Sequence, residues 1–324
     1  METLDTLCSK LTGISSSSTY SDGTLKSCTF KEENRIQTPI GEVIPQYRTA
    51  VYGERQKKHR AALTFFKNGQ LKSAALEEAT ALQTPIGEMN AELVTFYDNG
   101  SLNRIFPLNG QIDGYWSETN EGELAEVLDF DLSVGKFSAK IINAHFYPSG
   151  AVKSITLWPG QKISIQTPVG EMSVRTGFSL YEDGSLKTVE PSAPFEIQTP
   201  IGPIKAFDAE MVGINSDQSS VRFDTDGTLT SLKTIHTGIR AVATDNSVTV
   251  IEPFEAPSLI EMTEMRTIPM EVCFDGDKVQ IVAESVYDFD IGSYTFKTFQ
   301  RLKVIREACA ACSGCGAGGG CCQG

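Results

Sequence analysis

The sequence predicts an all-β protein made of tandem β-hairpin repeats. One recurring motif reads Gln-Thr-Pro, then Ile or Val, then Gly, and a second reads an aromatic residue, two residues, Gly, one residue and Leu or Val. Both are turn sequences, because Pro presets φ at the second position of a type I turn and Asp-Gly or Asn-Gly between apolar runs is a strong hairpin signal. Repeated turns at a repeated spacing predict hairpins that form an elongated antiparallel sheet or a solenoid-like array.

The first motif, the Thr-Pro turn, occurs at Gln37–Gly41, Gln83–Gly87, Gln166–Gly170 and Gln198–Gly202. The second motif marks the tips of six hairpin copies, which begin at Tyr20, Phe66, Tyr97, Tyr147, Tyr181 and, with one extra residue before the Gly, Phe223. From the Gly of a tip to the Gln of the following turn there are 14 residues in three copies and 16 in a fourth. We therefore expect a two-residue type I′ turn at each tip and strands of about five or six residues.

The two ends of the chain depart from the repeats, and longer insertions separate copies three and four and copies five and six. The third copy reaches a break at Pro107–Gly110 but lacks a Thr-Pro turn, and the acidic insertion after it predicts a short helix at Glu123–Leu128. A stacked array needs atypical terminal units to cover its last apolar faces. We accordingly predict an N-terminal cap or short helix in residues 1–18, hairpin repeats in 19–240, a C-terminal β cap in 241–307 and a flexible Cys/Gly-rich tail in 308–324.

The repeats resemble a known family. The order of aromatic, two residues, Gly, one residue, Leu and Lys, with the Gly-Gln-Ile stretch contained in Tyr97–Trp116, is similar to the variant MORN repeats of bacterial proteins, including antitoxin-like ones. The resemblance covers about Tyr20 to Leu232, and this chain departs from it in the Thr-Pro turns and in a unit length of at least 31 residues. It implies an elongated antiparallel sheet that serves as a scaffold or as a protein- or lipid-binding surface.

Charge and hydropathy exclude some classes of function. The net charge of -13 argues against nucleic-acid binding, which needs a basic face. No run approaches the roughly 20 apolar residues of a membrane helix, and the first residues lack the basic and apolar regions of a signal peptide. We expect a cytoplasmic protein that does not span a membrane.

One dense basic run stands against this acidic background. Arg55, Lys57, Lys58 and Arg60, with His59 between them, lie in the insertion that separates the first two copies. Such a cluster is a candidate site for a phosphate, an anionic lipid head group or an acidic protein partner. The alternative is an ordinary solvated loop.

The C-terminal tail holds five of the eight cysteines, namely Cys309, Cys312, Cys315, Cys321 and Cys322. Closely spaced thiols in a chain without a signal peptide favour metal or redox chemistry over disulfides. The first three have the spacing that opens a bacterial ferredoxin run, and a four-thiolate zinc site is equally compatible with the ligands. Prenylation of Cys321 and a disordered tail with reduced thiols are the alternatives.

The sequence contains no recognisable catalytic motif. HExxH, G-x-S-x-G and P-loop patterns are absent, and the recurring Asp, Asn and Glu residues of the turns are explained by turn conformation before a row of cation sites. We therefore predict a non-enzymatic repeat scaffold or binding protein that carries a thiol-rich tail. The rival hypothesis is a metal-binding or redox protein that uses a zinc ion or an iron–sulfur cluster at the tail cysteines, and an enzyme without a known motif comes third.

Overall fold

The structure is a computed structural model that describes residues 11–49, 55–58, 61–209, 211, 219–257 and 265–301. Arg60 and the five tail cysteines lie outside the described residues. Contacts divide the chain into two compact units. The first unit comprises Met1–Glu190, Val212–Ser219 and Asp224–Gly227, and the second comprises Pro191–Met211, Ser220–Phe223 and Thr228–Gly324.

The first unit confirms the predicted all-β fold. Its strands are β1 Ile14–Thr19, β2 Leu25–Phe30, β3 Ile36–Thr38, β4 Gly41–Val43, β5 Leu63–Phe65, β6 Leu71–Thr84, β7 Gly87–Phe96, β8 Leu102–Phe106, β9 Leu128–Leu132, β10 Gly135–Ala139, β11 Ile141–Phe146, β12 Val152–Leu157, β13 Ile163–Thr167, β14 Gly170–Leu180 and β15 Leu186–Pro191. One helix, α1, spans Glu118–Leu124 among the described residues. The main sheet has the order β1-β2-β5-β6-β7-β8-β11-β12-β14-β15, with β13 paired to β14 and with β3–β4 and β9–β10 as separate hairpins.

The second unit is also built from antiparallel strands. They are β16 Phe195–Thr199, β17 Gly202–Ala206, β18 Val221–Phe223, β19 Leu229–Thr234, β20 Thr237–Ala243, β21 Val248–Ile251, β22 Phe254–Pro257, β23 Met265–Ile268, β24 Met270–Asp275, β25 Lys278–Val282, β26 Val286–Asp290 and β27 Tyr294–Gln300. Strands β18-β19-β24-β25-β26 follow one another in one sheet, and β21-β20-β27 form another. Strands β24 and β25 form a hairpin in which Phe274 pairs with Val279. Residue 240, the predicted end of the repeats, lies inside β20.

The tip motif forms a hairpin, but the predicted type I′ turn is wrong. In the first copy Gly23 N donates to Tyr20 O at 3.0 Å and Tyr20 N donates to Thr24 O at 2.8 Å, so the loop has three residues rather than two. Of the three loop residues, only Gly23 has a positive φ, of 87°. The Asp22 side chain accepts a hydrogen bond from Thr24 N at 3.1 Å. This is a type I turn followed by a glycine bulge. The same two backbone bonds recur in the copies that begin at Phe66, Tyr97, Tyr147 and Tyr181.

Each Thr-Pro turn closes a second hairpin, here called a side hairpin. In β3–β4, Thr38 pairs with Gly41 across a two-residue turn of Pro39 and Ile40. Thr38 Oγ1 donates to Gly41 O at 2.6 Å and accepts from Ile40 N at 3.3 Å. The third copy has a side hairpin too, β9–β10, in which Ser133 and Val134 stand at the turn. The insertion with α1 displaces this hairpin along the sequence.

Side chains alternate between the two faces of the main sheet of the first unit. On one face, directly opposed apolar residues run across six strands, each with no exposed surface: Ala74, Val94, Ile105, Ala144, Ile155 and Phe178. On the other face the opposed residues are polar: Ser73, Thr95, Arg104, His145, Ser154 and Ser179. The apolar row is therefore part of the core, and its burial stabilises the fold by about 25 cal/mol per Å² of apolar surface removed from water.

Successive copies are tied together by the tip tyrosines. The hydroxyl of Tyr20 donates to Phe65 O at 2.8 Å, that of Tyr97 to Phe146 O at 2.8 Å and that of Tyr147 to Leu180 O at 3.0 Å. In each case the acceptor residue directly precedes the tip aromatic of the next copy in the sheet. The Lys of the motif covers the ring, as Lys187 does over Tyr181 at 5.1 Å.

Two local predictions need correction. Ile14–Thr19 is a strand paired with β2, so a helix does not extend over residues 14–18, and residues 1–10 lie outside the described part. The helix of the insertion spans Glu118–Leu124 rather than Glu123–Leu128 because Ser117 and Asn120 form a capping box that fixes its start.

Candidate functional site

Two insertions meet in the first unit, namely the one between copies one and two and the one that follows copy three. Residues 55–58 lie alongside the segment that follows β8, and Lys57 forms an isolated β-bridge with Gly110. Lys58 N donates to Asn109 O at 2.9 Å, and Gln111 N donates to Gln56 O at 2.8 Å. The repeat pattern does not require either segment, so their junction is the place where this chain departs most from a regular array.

A buried ionic cluster fixes that junction. Arg55 donates to both carboxylate oxygens of Glu92 at 2.8 Å, and to Glu121 at 2.7 Å from Nε and 2.5 Å from Nη2. Trp116 Nε1 donates to Glu121 at 2.7 Å. The side chains of Arg55, Glu92 and Glu121 are 17%, 7% and 3% exposed. The cluster therefore links the first insertion, strand β7 and helix α1 through charge-assisted hydrogen bonds.

Arg55 and Glu121 keep their charges. Burial raises the pKa of Glu121, but the hydrogen bonds from Arg55 and Trp116 outweigh that effect and leave this pKa below its ordinary value. Burial likewise opposes the charge of Arg55, whose pKa is nevertheless raised by hydrogen bonds to Glu121 and Glu92. The carboxylates and the guanidinium stabilise each other in a partly dehydrated site.

Two of the four residues predicted to bind an anion, Arg55 and Lys57, do not present their charges at an exposed surface. Arg55 is engaged by Glu92 and Glu121, and Lys57 Nζ donates to Leu76 O at 2.8 Å and to the neighbouring carbonyl of Glu77. Burial lowers the pKa of Lys57. These two cations are committed to internal partners, while Lys58 is exposed. Arg60 lies outside the described residues.

A groove of about 460 Å³ opens beside the junction. Its apolar wall is formed by residues from β7, β8, β11 and the segments that follow β8 and β12: Leu93, Phe106, Leu108, Ile112, Ile142, Trp158 and Pro159. Its polar lining consists of Lys58, Arg104, Asn109, Gly110, Glu118 and Glu121. The volume and the mixture of apolar wall and few polar groups are typical of a small-molecule site.

Two groups in the groove point to a ligand that accepts hydrogen bonds. Asn109 is only 2% exposed, and its side-chain nitrogen has no hydrogen-bond partner among the residues that the structure describes. The backbone N–H of Asn109 donates to the Glu92 carboxylate at 2.7 Å, and its backbone carbonyl accepts from Lys58 N at 2.9 Å. Arg104 Nη1 donates to Asn143 Oδ1 at 3.2 Å, which holds the guanidinium at the groove. Buried amide donors normally have a partner.

The remaining candidate residues do not form a site in the described chain. The five tail cysteines lie outside it, and within it no group of three or more His, Cys, Asp or Glu residues is placed to hold a metal ion. Glu42 pairs with Arg35, and Glu88 and Glu171 pair with Gln83 and Ser164, so each repeated Glu is engaged within its own side hairpin.

Sequence reasoning missed Glu92, Glu121, Asn109 and Arg104. One signal was present, because Glu92 is a charged residue inside the apolar run of β7 and a buried carboxylate needs a cationic partner. Its partner Arg55 could not be identified from the sequence, since the two residues are 37 positions apart and belong to different repeats.

Comparison with known proteins gives no relative, since no family model, no curated protein and no solved structure matches this chain. None of the helices in the described part of the chain is long and apolar enough to cross a membrane.

Proposed function

We propose that this protein is a non-enzymatic binding protein in which the hairpin array holds the groove beside β8. The observation that carries the proposal is the groove itself, where an apolar wall meets a buried Asn109 amide and two cationic side chains. A rigid antiparallel sheet on one side and a buried ionic cluster on the other preorganise the lining, which reduces the entropy lost when a ligand binds. The resemblance to variant MORN repeats also supports a binding role.

A fragment screen by NMR tests this proposal. We expect soluble fragments to shift the backbone amide signals of Asn109, Gly110 and Gln111. The substitution Leu108→Trp fills the groove and should abolish these shifts, because the added ring occupies the volume between the apolar walls. The matched control is Val248→Trp on β21, where Val248 is 45% exposed and does not line the groove. If no fragment perturbs the groove amides of the wild-type protein, the proposed binding site is wrong.

The basic run also suggests a protein or an anionic lipid head group as a partner. Among the described residues of the basic run, Lys58 is exposed and lines the groove. The second candidate function is metal binding or redox chemistry at the tail, favoured by five cysteines within the last sixteen residues. Zinc or an iron–sulfur cluster would require deprotonated thiolates, so loading would release protons.

A further inference from the structure

We propose that the groove binds a small organic acid, with the acid group at Lys58, Arg104 and Asn109 and the apolar body against Phe106 and Trp158. This inference rests on the proposed function and specifies its ligand. It follows from the distribution of charge and polarity over the lining of one groove.

The charges of the lining leave a net attraction for an anion. Arg55 is shared by Glu92 and Glu121, and Lys57, which interacts electrostatically with Glu92, supplies the second cation that balances these two carboxylates. The Glu121 carboxylate also accepts from Trp116 Nε1 and from Gly110 N at 2.7 Å. The other charged residues of the lining are Lys58, Arg104 and Glu118. Two cations against one exposed carboxylate favour an anionic ligand locally, although the whole chain has a net charge of -13. At physiological ionic strength, screening limits the repulsion between the rest of this acidic chain and an anionic ligand to about 8 Å.

The hydrogen-bonding capacity of the lining also favours an acceptor. The side-chain nitrogen of Asn109 is a donor, and so are the ammonium of Lys58 and the guanidinium of Arg104. An acid group supplies several acceptor lone pairs, and charge-assisted hydrogen bonds are stronger than neutral ones. A ligand without an acid group would bury the Lys58 ammonium and the Asn109 donor without matching them, which is unfavourable.

The apolar wall determines the rest of the ligand. Phe106 and Trp158 give aromatic surface, and Leu93, Ile142 and Pro159 give aliphatic surface. The groove volume of about 460 Å³ fits a molecule of one or two rings or a short acyl chain, and it does not fit a folded protein segment. We therefore commit to a free small acid and treat a membrane lipid as an alternative outcome of the test.

The test compares two fluorescent probes that share the same aromatic body. Anilinonaphthalene sulfonate is anionic, and phenylnaphthylamine is its analogue without the sulfonate. We expect the wild-type protein to bind the sulfonate at least about tenfold more tightly, a difference of about 1.4 kcal/mol. Lys58→Met and Arg104→Met should each weaken sulfonate binding by about tenfold and leave the neutral probe unchanged. Lys67→Met, at an exposed hairpin tip outside the groove, is the matched control.

The outcomes separate the two proposals. Equal affinity for both probes, lost in Leu108→Trp but unaffected by Lys58→Met, would overturn the organic-acid inference and keep the groove as a binding site. Binding of neither probe, or binding that persists in Leu108→Trp, would overturn both. Because Arg104 contacts Asn143 within the sheet, its variant is first checked by thermal unfolding, and the exposed Lys58 provides the test if Arg104→Met does not fold. Co-sedimentation with phosphatidylserine vesicles that is lost in Lys58→Met would assign the groove to a lipid head group and contradict the free acid.

Discussion

At the scale of single residues, glycine conformation has the clearest energetic consequence. The closing glycines of the Thr-Pro turns have φ values between 111° and 133°, a region that other residues rarely adopt. Gly170 and Gly202 have nearly the same φ, but their surroundings differ. A Cβ at Gly170 would meet nothing within 4 Å, whereas a Cβ at Gly202 would lie 3.2 Å from Thr298 Oγ1. The two positions therefore separate backbone strain from steric contact.

We expect Gly170→Ala to destabilise the protein by about 1 to 2 kcal/mol through backbone strain alone. Gly202→Ala should cost more, because Thr298 must move as well. Urea unfolding of both variants measures the difference. When Thr298→Ala is already present, adding Gly202→Ala should lower the free energy of unfolding by about as much as Gly170→Ala does in the wild-type protein. If Gly202→Ala is no more destabilising than Gly170→Ala, the contact with Thr298 is energetically unimportant.

The tip tyrosines give a second residue-scale prediction. Tyr97→Phe removes a hydroxyl that donates to Phe146 O at 2.8 Å, and should cost about 1 kcal/mol because the carbonyl between two copies loses its partner. Phe66 occupies the same motif position in a copy without this hydroxyl, so Phe66→Tyr tests whether the bond can be added. We expect thermal unfolding to show a loss for Tyr97→Phe and no loss for Phe66→Tyr. A neutral Tyr97→Phe would mean that the sheet alone holds the copies together.

At the scale of elements, the buried cluster explains why helix α1 and the first insertion are ordered together. Glu121 on α1 accepts hydrogen bonds from Arg55 and Trp116, and its carboxylate is almost fully buried. Glu118 lies one turn earlier on the same helix and is exposed. The pair provides a matched comparison of a buried and a surface carboxylate.

Glu121→Gln should destabilise the protein by about 3 kcal/mol at neutral pH, since it breaks one side of a buried ion pair. Glu118→Gln should have little effect. The pKa of Glu121 is depressed in the folded state, so its contribution is present above the ordinary value of 4.5 and is lost as pH falls through the lower folded value. Unfolding free energies measured from pH 7 down to pH 3 should therefore converge for wild type and Glu121→Gln. A difference that is constant with pH would show that the carboxylate charge is not responsible.

The elements also show what local sequence reveals. Hairpin tips could be predicted because Asp22-Gly23 and its counterparts carry their turn information in adjacent residues. The turn type was mispredicted because the loop closes from Tyr20 to Thr24, one residue more than the Asp-Gly pair suggests. The side hairpin of the third copy was missed because Ser133 stands where the other copies have Pro.

At the scale of the whole molecule, the array is predictable and the groove is not. The repeats are nearest-neighbour structures, so a repeated motif is enough to predict them. The groove depends on residues 55–58 meeting Asn109 and Glu121, and Arg55 and Glu121 are 66 positions apart. No local pattern records that contact. The basic run is visible in the sequence, but the buried partners of Arg55 and Lys57 lie on other elements.

The tail gives the last prediction, which separates the two candidate functions. The last described strand, β27, ends at Gln300, and the five clustered cysteines begin at Cys309. Deleting residues 309–324 should therefore leave the circular dichroism spectrum, the unfolding transition and sulfonate-probe binding at the groove unchanged. Small thiolate-rich segments bind soft cations such as zinc and iron strongly. If the tail is a metal site, anaerobically purified full-length protein should contain zinc or iron by elemental analysis, and the truncated protein should contain neither. A full-length protein without either metal would contradict the metal hypothesis, whereas a truncated protein that retains the metal would place the site elsewhere in the chain.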